Sequence, residues 1–181
     1  MLKRTFILIF LLGSLGWLGC ERDPVAPPEG EPTLLYLGDD WRLRTAPGPS
    51  DGWLYITNYL YPTGTTSSSW QIFLTRDISG TTYGYDLIFW SGASTTARIE
   101  FVLIHEGEET ILASQELDIP YIDEQTAIHH NNTIEGDNPL GGNEEILLFR
   151  IGHAGGSAPI EILFDGAPQT IGCSSITVPL L

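Results

Sequence analysis

Short runs of β-branched and aromatic residues, separated by Gly, Pro, Asn and Asp, recur along most of the chain. No window shows the i, i+3, i+4, i+7 apolar spacing of an amphipathic helix, and the runs have the lengths of strands. Because crossover helices are missing from the pattern, a parallel α/β architecture is excluded. The pattern predicts an all-β fold over residues 33–181, an antiparallel two-sheet sandwich of jelly-roll type.

The runs predict strands at 34–37, 41–44, 53–61, 70–75, 83–90, 97–105, 110–119, 145–152, 159–164 and 175–178. Hairpin turns are predicted at Glu106-Gly107 and Asp165-Gly166, because Gly adopts the positive φ of a tight turn. Residues 123–130 are predicted to form a short helical turn. The run 146–149 is apolar on both faces, which is typical of a central strand.

Side-chain alternation separates the faces of two neighbouring strands. One core face is predicted to hold Ala97, Ile99, Phe101 and Leu103, and the core face of the next strand to hold Ile111, Ala113, Leu117 and Ile119.

Residues 1–19 have the three parts of a secretory signal peptide. Lys3 and Arg4 are followed by an apolar run over residues 5–12 and then by small residues that end at Gly19. That run is shorter than the roughly 20 residues that a transmembrane helix needs. The segment is therefore predicted to be a cleaved signal.

The end of this segment, Gly16 to Cys20, resembles the lipobox of bacterial lipoproteins, in which a small residue precedes a cysteine. Gly19 and Cys20 match the pattern, whereas Trp17 and Leu18 depart from it. The resemblance implies that Cys20 carries diacylglycerol as the mature N-terminus of a lipid-anchored cell-envelope protein, either periplasmic or surface-exposed. The alternative is an ordinary secretory signal cleaved near Gly16, which would leave Cys20 as a plain thiol.

The other cysteine is Cys173. If Cys20 is acylated, Cys173 is predicted to be a buried thiol, and a Cys20–Cys173 disulfide is the alternative.

Residues 20–32 contain four prolines and four acidic residues, which predicts an extended spacer. At about 3.1 Å per residue it would span about 40 Å. Without Lys3 and Arg4 the mature chain has 6 Arg against 23 acidic residues, a net charge of −17. Such a charge excludes nucleic acid as a partner and suggests a high-salt habitat or bound divalent cations.

The segment 53–61 alternates aromatic with aliphatic residues. If it is one strand, one face carries Trp53, Tyr55, Tyr59 and Tyr61, and the other carries Leu54, Ile56 and Leu60. An exposed aromatic face would be a platform on which sugar rings stack. The alternatives are that the aromatic residues point into the sandwich, or that a kink at Thr57-Asn58 breaks the alternation.

Three further groups of residues have side chains that could form a site. Glu116 and Asp118 resemble the first half of the Glu-x-Asp-x-x-Glu strand motif of jelly-roll endo-glucanases, but Tyr121 stands where the second glutamate is expected, which favours a solvated acidic face. Adjacent His129 and His130 favour a polar loop over a transition-metal site.

The third group consists of loop oxygens. Calcium accepts six to eight oxygen ligands from loops. Asp137, Asn138 and Glu144 are therefore a candidate calcium site.

The sequence favours a non-catalytic sandwich that binds glycan or another surface ligand. The alternative is a structural or adhesive envelope component that acts through protein contacts, and a glycoside hydrolase is third. In general pattern the domain resembles jelly-roll binding modules.

Overall fold

The computed structural model describes residues 32–47, 52–56, 67–121, 127–139, 141–156, 158–164 and 173–181. For residues 52–56 and Phe164 only the backbone is described. The described strands are β1 (Thr33–Leu37), β2 (Leu43–Arg44), β3 (Gly52–Ile56), β4 (Ser67–Phe73), β5 (Thr82–Ser91), β6 (Thr95–His105), β7 (Glu108–Ile119), β8 (Ile128–Glu135), β9 (Ile146–Gly156), β10 (Ile160–Phe164) and β11 (Ser175–Val178). Within these ranges every regular element is a strand, and no helix capable of spanning a membrane is found.

The strands form two antiparallel sheets. The smaller sheet has the order β4-β9-β6-β7, and the larger sheet contains β3-β10-β5-β8 together with β1, β2 and β11. From β3 to β10 the strands alternate between the sheets except at the β6–β7 hairpin, whose two strands both lie in the smaller sheet, and this is the strand order of a jelly roll. The predicted all-β jelly-roll sandwich is confirmed.

Three strands share the two edges of β5. Along one edge, β11 pairs with residues 84–86 and β10 with residues 89–91, so these two strands lie end to end. On the opposite edge, β8 pairs with residues 82–89. The larger sheet is therefore wide around β5, with β1 and β2 beyond β11 and with β3 beyond β10.

The core lies between the sheets, and Phe101 of β6 is near its centre. This side chain is fully buried, and its ring centroid lies 5.1 Å from that of Tyr83 in the larger sheet and 5.1 Å from that of Phe149 in its own sheet. The predicted core face of β6 is confirmed, since Ala97, Ile99, Phe101 and Leu103 all belong to the core.

The prediction for β7 was wrong at Ile111. The register between β6 and β7 shifts between Phe101 and Val102, so Ile111 pairs with Val102 and Ala113 pairs with Phe101. The extra residue of this β-bulge, Leu112, takes the core position, and Ile111 is left 50% exposed on the outer face.

The segment around His129 was also assigned wrongly. Residues 128–135 form the edge strand β8, not a helical turn followed by a polar loop. Two of its four core-facing positions are polar, namely His130 and Asn132, so the alternation that marks a strand is interrupted in the sequence.

Two other predictions concern turns and strand placement. Glu106 and Gly107 both have positive φ, at 50° and 88°, in the hairpin between β6 and β7, as predicted. The run 146–149 opens β9, which lies between β4 and β6 as a central strand, also as predicted. The predicted turn at Asp165-Gly166 lies outside the described residues.

Candidate functional site

A groove of about 640 Å³ crosses the outer face of the larger sheet. One row of paired residues runs across four strands: Tyr36 of β1 pairs with Ser175 of β11, Ser175 with Asp86 of β5, and Asp86 with Asn131 of β8. Directly paired residues share a face of the sheet. The aromatic ring, hydroxyl, carboxylate and amide of this row therefore all lie on the outer face.

A second row deepens the groove beside the first. It consists of Leu34, Thr177, Gly84 and Thr133. A Cβ atom on Gly84 would lie 3.2 Å from the Cβ atom of Thr177, closer than ordinary van der Waals contact. Because Gly84 has no side chain, the sheet surface is low between its neighbours in this row.

The lining of the groove exposes more apolar than polar surface, and its polar groups are mostly uncharged. Its described part includes hydroxyls of Ser and Thr, the amide of Asn131, the ring of Tyr36 and the exposed side chain of Leu34. Hydroxyls and amides both donate and accept hydrogen bonds. Such a lining can bind a molecule that carries many hydroxyl groups beside apolar ring faces.

Among the described residues that line the groove, Asp86 is the one acidic residue, and none is Lys, Arg or His. Its side chain is 43% exposed, and its Oδ1 atom is buried without a hydrogen-bond partner. The Nδ1 atom of His129 lies 3.8 Å from Oδ1, which is too far for a hydrogen bond.

The predicted aromatic platform begins in β3. The backbone register pairs Leu54 with Ile162, a core residue, and Trp53 with Leu163 on the opposite face of β10. Tyr55 pairs with Glu161, which lies on the same outward face of β10 as Leu163.

Leu163 is 3% exposed and Glu161 is 8% exposed, so the outer face of β10 is covered. The side chains of Trp53 and Tyr55, and all of Tyr59 and Tyr61, lie outside the described residues. The platform stays a prediction.

Trp90 is an outward-facing residue that sequence reasoning missed. It pairs with Glu161, is partly exposed, and has a buried Nε1 atom without a hydrogen-bond partner. Four residues separate it from Asp86 along β5, a distance of about 14 Å at 3.4 Å per residue. Trp90 was missed because it lies inside the apolar run 87–90, and an apolar run by itself predicts that all of its residues are buried.

Cys173 lines the groove and is partly exposed, whereas it was predicted to be buried. Cys20 lies outside the described residues, so acylation and the alternative disulfide both stay predictions.

The predicted calcium ligands serve the backbone network in the structure. Asp137 accepts the Tyr83 hydroxyl at its carbonyl oxygen, 2.8 Å away, and donates its own N–H to the Leu112 carbonyl. Burial, together with the charge of Asp137, raises the pKa of Tyr83 to about 12, so this hydroxyl stays protonated and donates. Glu144 has a φ of 67° and donates its N–H to the Leu74 carbonyl.

Asn138 takes part in an interaction of its own. Within the described ranges, no three His, Cys, Asp or Glu side chains gather around a point that could hold a metal. Calcium binding stays a prediction.

His129 and His130 face opposite sides of β8, because consecutive strand residues alternate. The His130 ring lies on the core side, 5.9 Å from the Phe89 ring, and burial lowers its pKa. The two imidazoles therefore do not converge on one metal position.

The carboxylates considered for glycoside hydrolysis lie on the opposite sheet from the groove. Glu116 accepts a hydrogen bond from Arg98 at 2.6 Å, and Asp118 accepts one from the Thr96 hydroxyl at 3.0 Å. Both residues are exposed, as expected for a solvated acidic face.

The outer face of the smaller sheet has a charged half and an apolar half. Arg150 marks the charged half, with two 2.8 Å hydrogen bonds to Glu109 and one of 3.3 Å to Glu100. In the apolar half, Phe73 is 59% exposed at one edge and Ile111 lies at the other. Between them lie Val102, Ile104, Ile146 and Leu148.

The strand order places the chain in the jelly-roll class of β-sandwiches. Its structure overlays on a CocE/NonD family hydrolase from Staphylococcus aureus with a TM-score of 0.67 and 12% identity, over 85% of this chain and 37% of the hydrolase. An aminopeptidase from a marine sediment archaeon, Thaumarchaeota archaeon, gives a TM-score of 0.64 and 8% identity, over 82% and 36%. At these identities the likeness shows the fold alone, and this chain spans little more than a third of either enzyme.

A carbohydrate-binding module specific for non-crystalline cellulose gives a TM-score of 0.43 and 9% identity, over 74% of this chain and 84% of that one. That similarity is too remote to support any argument about function. No family model matches the chain, and no curated protein matches it.

Proposed function

We propose that the sandwich is a non-catalytic binding module that holds a glycan in the groove on the outer face of the larger sheet. The observation that carries the proposal is the row of Tyr36, Ser175, Asp86 and Asn131, which offers an aromatic ring beside hydrogen-bonding groups. Sugar rings present apolar C–H faces and hydroxyl edges, so they can stack on the ring while they hydrogen-bond to the row. The predicted platform at Trp53 and Tyr55 would extend the same outer face beyond β10.

The first test of this proposal is Tyr36→Ala. Removing the stacking ring should weaken binding by about 1–2 kcal/mol, or about five- to thirtyfold in Kd. Affinity electrophoresis in gels that contain soluble neutral polysaccharides would find the polymer that retains the native protein, and titration calorimetry with its oligomers would measure Kd.

Tyr121→Ala is the matched control, because Tyr121 is an exposed tyrosine outside the groove lining. Its binding should equal that of the native protein. Equal retention of Tyr36→Ala and Tyr121→Ala, with both variants folded, would contradict a glycan site in the groove.

We also propose that the module is lipid-anchored at the cell envelope through Cys20. The support is the signal-like segment 1–19, the lipobox-like residues up to Cys20 and the spacer at 20–32. Mass spectrometry of the membrane fraction should find a diacylglycerol-modified peptide that begins at Cys20, and Cys20→Ser should release the protein or leave it unprocessed. A soluble mature protein that begins near Leu15 would end this proposal.

A second candidate function is a structural or adhesive role through protein contacts. The apolar half of the smaller sheet favours it, because Phe73 and Ile111 expose large side chains on one continuous face. A glycoside hydrolase gains no comparable support, since Glu116 is paired with Arg98 on the face away from the groove.

A further inference from the structure

Asp86 has a central position in the groove. It pairs with Ser175 on one side and with Asn131 on the other, so a ligand lying across the row meets its carboxylate between a hydroxyl and an amide. It is also the acidic side chain of the described lining. A second carboxylate, that of Glu135, accepts hydrogen bonds from the lining residues Thr81 and Thr82, so Asp86 is the acidic group in the middle of the row.

This carboxylate has no hydrogen-bonded cation. The Nδ1 atom of His129 lies 3.8 Å from Oδ1, which is within ion-pair distance when the imidazole is protonated but beyond hydrogen-bond distance, and Oδ1 accepts no hydrogen bond. Arg44 continues the row beyond Tyr36, but its guanidinium is held by Asp39 at 2.7 Å and by Asp40 at 3.1 Å. The groove therefore presents negative charge to a ligand.

We infer that Asp86 makes the groove selective for glycans of amino sugars, which carry protonated amines, and selective against glycans of uronic acids. The inference rests on the proposed function and assigns the charge class of its ligand. A protonated amine that displaces water beside Asp86 gains a charge-assisted hydrogen bond, whereas a carboxylate there meets a like charge. A neutral sugar hydroxyl can donate to Asp86 or to the amide of an asparagine in its place, so neutral glycans should be indifferent to the charge.

The strongly acidic chain also repels anionic ligands from a distance, and this effect has to be separated from that of Asp86. Asp118 allows the separation, since it is an exposed acidic residue on the smaller sheet. Asp86→Asn and Asp118→Asn remove the same charge from the chain. The two variants differ in where the lost charge lies, which is in the groove for Asp86 and on the smaller sheet for Asp118.

Three oligosaccharides of equal length serve as probes: β-1,4-linked glucosamine, β-1,4-linked glucose and α-1,4-linked galacturonate. Calorimetry with the native protein, in buffer that keeps the amines protonated, should rank glucosamine first and galacturonate last. Asp86→Asn should weaken glucosamine binding by about five- to tenfold, leave glucose binding within about twofold and strengthen galacturonate binding. Asp118→Asn should preserve the native ranking.

The inference is overturned if Asp86→Asn and Asp118→Asn shift the three affinities alike, or if the native protein ranks the three probes equally. Should Asp86→Asn fail to fold, Asp86→Ser and Asp118→Ser take the place of the two asparagine variants, because the native ranking alone does not separate Asp86 from the net charge of the chain. A native protein that binds none of the three, nor any other polysaccharide, refutes the proposed function itself. Glucose binding without charge preference refutes only the inference about Asp86.

Discussion

Phe101→Ala should lower the free energy of unfolding by about 3–5 kcal/mol, the range for truncating a buried aromatic side chain. Phe101 is fully buried between Tyr83 of the larger sheet and Phe149 of the smaller one, so its loss leaves a cavity at the junction of the two sheets. Both ring contacts are lost together with the buried area. Equilibrium unfolding in urea, followed by tryptophan fluorescence, measures the difference.

Ile111→Ala is the control on the neighbouring strand. Because the bulge leaves Ile111 half exposed, this truncation should cost less than about 1 kcal/mol. If the two variants were equally destabilised, the core would not be centred on Phe101, and the register shift between β6 and β7 would be wrong.

Leu54→Ala should cost about 2–5 kcal/mol, whereas Trp53→Ala should leave the melting temperature nearly unchanged. The register is the reason, since Leu54 pairs with the core residue Ile162 and Trp53 pairs with Leu163 on the outer side. Adjacent strand residues face opposite sides, so both cannot lie in the same core. Thermal unfolding of the two variants compares the faces directly.

The same two variants test the predicted platform. If Trp53 stacks on sugar, Trp53→Ala should abolish polysaccharide retention in affinity electrophoresis, while a folded Leu54→Ala keeps it. Glu161 and Leu163 on the neighbouring strand are buried, so the alternative that the aromatic side chains are also buried has to be tested. A Trp53→Ala protein that unfolds, or that retains polysaccharide normally, would remove the platform and leave the groove as the glycan site.

Strands with one solvent-exposed face and one buried face could be predicted from the sequence. Ser175–Val178 was predicted to the residue, and β6 differs from its prediction only at its start. Edge strand β8 was missed because His130 and Asn132 occupy its core-facing positions, which removes the apolar period. The bulge at Leu112 was missed because an inserted residue reverses which side chains of the strand face the core, and the amino-acid composition of the strand gives no sign of it.

The groove could not be predicted, for a different reason. Tyr36, Asp86, Asn131 and Ser175 are far apart in the sequence, and strand order alone brings them into one row. Alternation predicts which residues of a strand share a face, but it does not predict which strands are neighbours. The aromatic segment 53–61 was noticed because its residues are contiguous.

The pairing of the first described strand with the last affects when the groove forms during folding. β1 lies beside β11, with Thr33 opposite Val178, and the groove takes Leu34 and Tyr36 from the former and Ser175 and Thr177 from the latter. Contacts between residues so distant along the chain are slow to form, because a long loop must close first. A chain that still lacks β11 therefore lacks Ser175 and Thr177, and the proposed glycan groove is complete only after the first and last described strands have paired.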